Sequence, residues 1–547
     1  MDTGDRIETL MAHLGDFGKY QFWQFFLHLL AAMTAGVHML SLVTVGAVPD
    51  HRCAIPHVDN GLDGRNFSIT DLEGYIPMLE TSKYDSCRMY DVNTTDNLTI
   101  KCNEWVYDTT YHKTSRGIEW NFVCDRRWMG ATAQSAYMFG VFVGSIVLGA
   151  MADKYGRKTV FCTSAFLQVV FGVSAAYVPE YYAFLIVQFF YGIFGSAGSY
   201  ITGFVLSMEL VGPSRRTVCG ISFQAAFAFG FMLVAGWGAI ISDRQLLQLI
   251  YGLHGVLLLG HWWLMDESPR WLWANGKTKD AIKIVQKALK INGSPVELDV
   301  TDYISKANVK RQETSEKVGI TDLFKTPVLR SRTLNICLSW FANSLVYYGL
   351  SLGTGKLYGN PFLVLFLAGC VELPGYVITV LLMDRTGRRS LVSFFMISGG
   401  ICCIIAAYLF QGSAASTTVV MIGKFMIGSS FAIVYNYSAE LFPTVIRNTA
   451  LGLGAMSARL SGTATPLIAL LDSLNPALPS TIFAIIAIVS GFLMLFLPET
   501  LGEPMLQTLE EGEHFKTKDT WFASICGNKG RTREDATKEQ MEPLKVV

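Results

Sequence analysis

The sequence predicts an all-α integral membrane protein of twelve helices, arranged as two pseudo-symmetric halves of six. Three observations carry this expectation: twelve apolar stretches of bilayer length, a depletion of charge, and motifs that recur at a constant offset. Of 547 residues, 51% are hydrophobic and 16% are charged, against about 25% charged in soluble domains. Mean hydropathy is +0.34. Formal net charge is zero, so there is no electrostatic case for a nucleic-acid partner.

A spanning helix needs about 20 mostly apolar residues. In chain order the candidates are 21–47, 129–152, 159–178, 181–208, 217–241 and 246–265, then, beyond a charged gap, 333–353, 361–383, 390–411, 416–439, 447–471 and 480–497. The first is too long and too aromatic for a signal peptide and is read as retained. The chain divides into an N-terminal segment (1–20), a first half (21–265), a linker (266–332), a second half (333–497) and a tail (498–547).

Orientation follows from Lys and Arg. The links Asp153–Lys158, Pro213–Arg216 and Asp384–Arg389 are basic, as is the linker, whereas Pro179–Tyr182 and Gln411–Ala414 are nearly uncharged. Both termini are therefore expected in the cytoplasm, and residues 49–128 outside. That loop holds Cys53, Cys87, Cys102 and Cys124, which suggests two disulfides with three possible pairings. It also carries glycosylation triplets at Asn66, Asn93 and Asn97. A fourth triplet, at Asn292, falls in the linker and is expected to stay unmodified.

The halves repeat. Asp153, Gly156, Arg157 and Lys158 return as Asp384, Gly387, Arg388 and Arg389, an offset of 231 (153 to 384). Glu209 and Arg216 return at the same offset as Glu440 and Arg447, and Glu267 and Glu499 are 232 apart. Duplicated halves enclose a cleft with a midplane site that opens alternately to each side. The repeated charges suggest a gate on the cytoplasmic face: Asp153 with Arg157, and Asp384 with Arg388, binding helix ends and one another, with Glu209 and Glu440 pairing to these arginines. The plainer alternative is positive-inside anchoring, which accounts for the Lys and Arg but not for the repeated carboxylates.

These motifs resemble the major facilitator superfamily, whose signature is a D-x-x-G-R-[RK] link after the second and eighth helices. The run Gly15–Gln21, the cysteine-rich first loop, Asp266–Leu272, Ala439–Asn448 and Leu497–Gly502 are similar to the organic-ion transporters of solute carrier family 22. The resemblance covers about residues 10–505. It implies a plasma-membrane carrier of small organic cations, zwitterions such as carnitine, or anions, driven by membrane potential or by coupled Na+ or H+, with no cofactor.

Within that resemblance, Glu372 stands where cation and carnitine carriers have Glu. Arg459 stands where carnitine-type and anion carriers have Arg and typical cation carriers have Asp. One acid and one base suit a zwitterion, with Glu372 near the ammonium and Arg459 near the carboxylate. The alternative is mutual neutralisation. Trp340 and Tyr347 fall on one face of helix seven, and Tyr200, Gln224 and Phe227 match cavity positions of similar cation carriers. Aromatic faces attract quaternary ammonium, although packing or lipid contact would also account for many of them. Tyr348, Asn436 and Lys424 rank below these.

Gly353–Lys356 lacks the phosphate-loop pattern, and no metal cluster or nucleophile–base motif suggests an enzyme. Alternating locks argue against a non-transporting receptor. Lys277–Lys287 reads as a surface amphipathic helix that braces the halves or lies on lipid. The tail ends Leu544–Val547, a faint resemblance to a ligand for a cytoplasmic scaffold protein.

Overall fold

The computed structural model describes residues 3–55, 59, 67, 72, 74–78, 84–91, 98–296, 319–409, 412–503, 506 and 508–516. The glycosylation candidates Asn66, Asn93 and Asn97 and the far tail lie outside the described residues. The first half comprises α1 (Lys19–Val45), α2 (Arg127–Tyr155), α3 (Arg157–Tyr177), α4 (Tyr181–Leu210), α5 (Arg216–Ile240) and α6 (Arg244–Leu253). The second comprises α7 (Pro327–Leu352), α8 (Pro361–Thr386), α9 (Arg388–Tyr408), α10 (Ala414–Leu441), α11 (Thr444–Ala469) and α12 (Leu478–Met494).

By length and composition, α1–α5 and α8–α10 can each cross a membrane. The helices α7 and α11 are as long but carry more polar residues, among them Arg332 and Asn343, and Arg447 and Arg459. The sixth span corrects the sequence reading. Its α-helix stops at Leu253, tightens into a 3-10 segment (His254–Leu258) and resumes for one turn, His261–Leu264. Gly252 packs against the backbone of Gly172 in α3, where a Cβ would lie 2.5 Å from the Gly172 carbonyl carbon. The break falls beside this close backbone approach, in a stretch that is still apolar.

The fourth span is irregular at its centre. It is α-helical to Gly192, π-helical over Ile193–Ile201 and α-helical again to Leu210. Such insertions are rare and concentrate at functional sites.

Outside the bundle, β1 (His51–Cys53) pairs antiparallel with β4 (Trp105–Tyr107), and β2 (Arg88–Tyr90) with β3 (Thr99–Lys101). Disulfides Cys53–Cys102 and Cys87–Cys124 select one of the three pairings the sequence left open. The loop is fastened to the first half. Arg116 donates to the carbonyls of Ala175 and Val178 at 3.0 and 2.8 Å, Ser115 to that of Ala47 at 2.6 Å, and Arg244 bridges to Glu119 at 2.8 Å. This side is the loop face; the side with the charged links is the link face.

On the link face, helices Thr3–Ala12, Pro269–Ala274 and Thr278–Asn292 pack as one apolar cluster that includes Leu10, Trp271, Ile282 and Val285. The amphipathic helix therefore seats on the first half through Ala281, Ile282, Val285, Ala288 and Leu289, rather than bracing both halves as the sequence reading allowed. The Asn292 side chain is engaged there, accepting from the Tyr20 backbone at 2.8 Å and donating to Gln21 at 3.0 Å. On the second half, helix Leu509–His514 docks beneath α7. Glu513 accepts from the backbone N–H of Val328 and Leu329, both at 3.1 Å, capping the α7 N-terminus.

Candidate functional site

The midplane of the second half holds a fully buried ion pair. Glu372 on α8 and Lys424 on α10 approach to 2.8 Å, with side-chain exposures of 0% and 1%. Tyr347 and Tyr376 donate to Glu372 Oε2 at 3.0 and 2.7 Å, and Ser351 contacts the ammonium. Lys424 also lies 3.7 Å from the Tyr347 ring centroid and 4.9 Å from that of Phe231. This is a correction: the sequence ranked Lys424 below Arg459, yet Lys424 is the partner of Glu372. Burying one charge is costly, and a paired, hydrogen-bonded charge is what makes it tolerable. The carboxylate sits two residues before Pro374, whose missing N–H frees the Cys370 carbonyl within α8.

Arg459 on α11 faces a different surrounding. The phenols of Tyr348, Tyr435 and Tyr200 are its electrostatic neighbours, and among the described residues no carboxylate pairs with it. Tyr200 comes from the first half and the other two from the second, so the guanidinium faces the seam between them.

Around this seam runs a closed circuit of aromatic rings. Tyr200 neighbours Phe227 at 5.9 Å, Phe227 neighbours Phe231 at 5.3 Å, and Phe231 crosses to Tyr347 at 6.2 Å. Tyr347 continues to Phe431 at 6.1 Å, Phe431 to Trp340 at 5.8 Å and Trp340 to Tyr435 at 5.2 Å. Tyr435 returns across the seam to Phe204 at 5.1 Å, and Phe223 closes the loop to Tyr200. Trp340 is fixed by donation to Ser438 at 3.0 Å. Gln224 is half-buried on the α5 face of Phe227 and Phe231, three and seven residues before them. The arrangement thus gathers Glu372, Arg459, Trp340, Tyr347, Tyr200, Gln224 and Phe227 into one region. It raises Lys424, which the sequence had marked as a lone Lys in an apolar helix, and adds Tyr376, Ser351 and Phe431.

The charged links form two locks of the same design. Arg157 reaches Glu209 at 2.9 Å and Asp153 at 3.4 Å. Arg388 reaches Glu440 and Asp384, each at 3.1 Å. Each closes within its own half, whereas the sequence reading also expected them to bind one another across the face. Among the described residues Arg447 makes no direct ion pair, and Glu440 is its electrostatic neighbour. The Arg447 Nε donates to the Phe442 carbonyl at 3.3 Å, as Arg216 does to Val211 at the same distance.

Glu267 and Glu499, whose repetition the sequence showed without a role, cap the helices that begin at each lock. Glu267 accepts the Lys158 N–H at 3.1 Å, and Glu499 accepts those of Arg388 and Arg389 at 2.8 and 3.1 Å. Gly156 and Gly387, at φ +108° and +86°, make room: a Cβ at either would lie 2.5 Å from the capping carboxylate. Gly387→Ala is therefore expected to destabilise the protein by about 1–3 kcal/mol, visible as a lower thermal midpoint in detergent.

Comparison with known proteins agrees with this architecture. The Sugar (and other) transporter family matches residues 87–511. An organic cation transporter protein of Drosophila melanogaster is 37% identical over 93% of this chain and 95% of its own. Human solute carrier family 22 member 16 is 30% identical over 94% of each. Among solved structures, the inward-open xylose transporter XylE from E. coli shares the fold with a TM-score of 0.58 at 16% identity, covering 90% of this chain and 99% of that one. With duplicated six-helix halves, a buried charge site at their seam and relatives spanning almost the entire chain, the protein belongs to the major facilitator superfamily and, within it, to solute carrier family 22.

Proposed function

We propose that the protein carries small organic cations or zwitterions, carnitine-like compounds foremost, across the plasma membrane by alternating access, with both termini cytoplasmic. The observation that carries this reading is the aromatic circuit holding Glu372 on one side and, on the other, an Arg459 with no carboxylate partner among the described residues. A trimethylammonium group suits the rings, where desolvated cation–π attraction contributes about 2 kcal/mol. It competes with Lys424 for the same rings and the same carboxylate. A carboxylate suits the Arg459 fork. A zwitterion meets both demands, its carboxylate compensating Arg459 and its ammonium sharing Glu372 with Lys424, so that binding leaves the net charge of the site unchanged.

Alternating access is supported by where the halves meet. Arg127 to Asp472 at 2.7 Å, and Ser135 to the Thr463 carbonyl at 2.9 Å, join them toward the loop face, while the link-face locks each stay within one half. The driving force is the membrane potential or a coupled Na+ or H+ gradient. A second reading, organic-anion exchange, is favoured by Arg459 alone.

Uptake of labelled carnitine, tetraethylammonium and p-aminohippurate into cells expressing the protein, with and without sodium, tests this. Carnitine is expected to lead. Preference for p-aminohippurate would transfer the protein to the anion exchangers.

A further inference from the structure

The seam site brings together Glu372, Lys424 and Arg459, whose charges sum to one positive. A zwitterion leaves that sum as it is. A simple organic cation adds a second positive charge to a site where the Glu372 and Lys424 side chains are 0% and 1% exposed. Uncompensated charge in a dry interior is costly, and an ionisable group so placed gives up its charge instead. Of the three groups, only Lys424 can restore the sum by losing a proton. Arg459 stays protonated, and a proton added to Glu372 would make the site more positive.

The geometry singles out the same residue. The Lys424 ammonium already occupies the place of a substrate ammonium, 2.8 Å from Glu372 Oε1 and 3.7 Å from the Tyr347 ring centroid. Tyr347 and Tyr376 both donate to Glu372 Oε2, while Oε1 has no partner but the ammonium among the described residues. Oε1 is therefore the oxygen a guest cation can take, and taking it removes the counter-charge that keeps Lys424 ionised. As a neutral amine, Lys424 still has Ser351 to bond with. The groups around it come from every side. Tyr347 lies on α7, Glu372 and Tyr376 on α8, and the uncharged Phe231 ring on α5, while α9 brings Cys402 against Gly423. Arg459 on α11 is linked to the pair through Tyr348, an electrostatic neighbour of both Arg459 and Glu372.

We propose that Lys424 makes the mode of transport depend on the charge of the substrate: a simple organic cation is exchanged for one proton of Lys424, and a zwitterion is carried without one. The inference rests on the reading of the protein as an organic-ion carrier. On the side to which the seam is open, the cation settles on Glu372 Oε1, the Lys424 N–H bond breaks, and the ammonium becomes an amine whose proton passes to water on that side. After the halves rock, the cation leaves and the amine takes a proton from water on the other side. One cation has crossed in one direction and one proton in the other, and no net charge has moved. A buried lysine can serve in this way where an arginine cannot, because the guanidinium keeps its proton.

The test uses the full chain in proteoliposomes with an entrapped pH dye, with tetraethylammonium and carnitine as probes. Adding tetraethylammonium outside is expected to make the lumen more alkaline, and adding carnitine to leave it unchanged. A lumen one pH unit more acidic than the medium should raise tetraethylammonium accumulation about tenfold for one-to-one exchange, and a potassium diffusion potential should not alter it. Lys424→Arg, which keeps the ion pair but holds its proton, should abolish the dye signal and lower tetraethylammonium uptake relative to carnitine by about tenfold. Lys424→Met should make tetraethylammonium flux respond to the diffusion potential instead of the pH gradient. Flux of neither probe in the wild type overturns the carrier reading. Tetraethylammonium flux without proton counterflow, equal proton flow with both probes, carnitine flux without tetraethylammonium flux, or a folded Lys424→Arg protein that still exchanges protons overturns the role of Lys424.

Discussion

Replacing Glu372 with Gln is expected to lower uptake of tetraethylammonium by at least about tenfold at equal surface level, and to lower stability as well. The two effects have one cause. The carboxylate holds Lys424 at 2.8 Å in a site with no exposure, and removing one member of a buried pair leaves the other uncompensated, at a cost of about 3–5 kcal/mol. Adding Lys424→Met to Glu372→Gln should recover much of the thermal midpoint, because a thioether of similar length fills the space without charge. It should not recover cation uptake, because the acid that attracts the substrate ammonium is still missing. Measuring midpoint and uptake on both variants separates the roles. A Glu372→Gln protein that transports tetraethylammonium normally would show that the pair is structural only.

The second large effect is expected from Arg459→Asp. Carnitine uptake should fall about thirtyfold, the equivalent of ~2 kcal/mol for a lost charge-assisted hydrogen bond, with tetraethylammonium uptake retained or raised. The guanidinium faces Tyr348, Tyr435 and Tyr200 with no acid paired to it among the described residues. Reversing its sign changes what the seam demands of a guest without breaking an ion pair. Arg459→Lys should fall between, since an ammonium keeps the charge but loses the planar fork. Competition assays with both labelled compounds would check the ratio. An unchanged ratio would remove Arg459 from substrate recognition.

The twelve spans and the 231-residue repeat were legible in the sequence because hydropathy and charge are one-dimensional quantities. Glu372 was legible for the same reason, as an acid in an apolar run. Its partner was not. Lys424 is 52 positions away (372 to 424), and which of Lys424 and Arg459 reaches the carboxylate depends on how α8 lies against α10 and α11. Arg447 shares the charge pattern of the repeated links; its Nε donates to the Phe442 carbonyl, and Glu440 is its electrostatic neighbour rather than a direct partner. The π-helix left only the small-residue run Gly195–Gly198 as a trace, and the Gly252–Gly172 approach beside the break in the sixth span left none. Glu267 and Glu499 were visible as repeated residues, and only the folded links at Gly156 and Gly387 explain why they repeat.

The disulfide-braced loop is bonded to the first half through Arg116, Ser115 and Arg244, and meets the second where His112 lies 5.0 Å from the Phe362 ring. It is therefore cargo of one half rather than a roof over both. Under the proposed alternating access, a tilt of the halves apart on that side would carry the loop with its owner and off Phe362, so that the cross-linked surface travels with one flank of the opening.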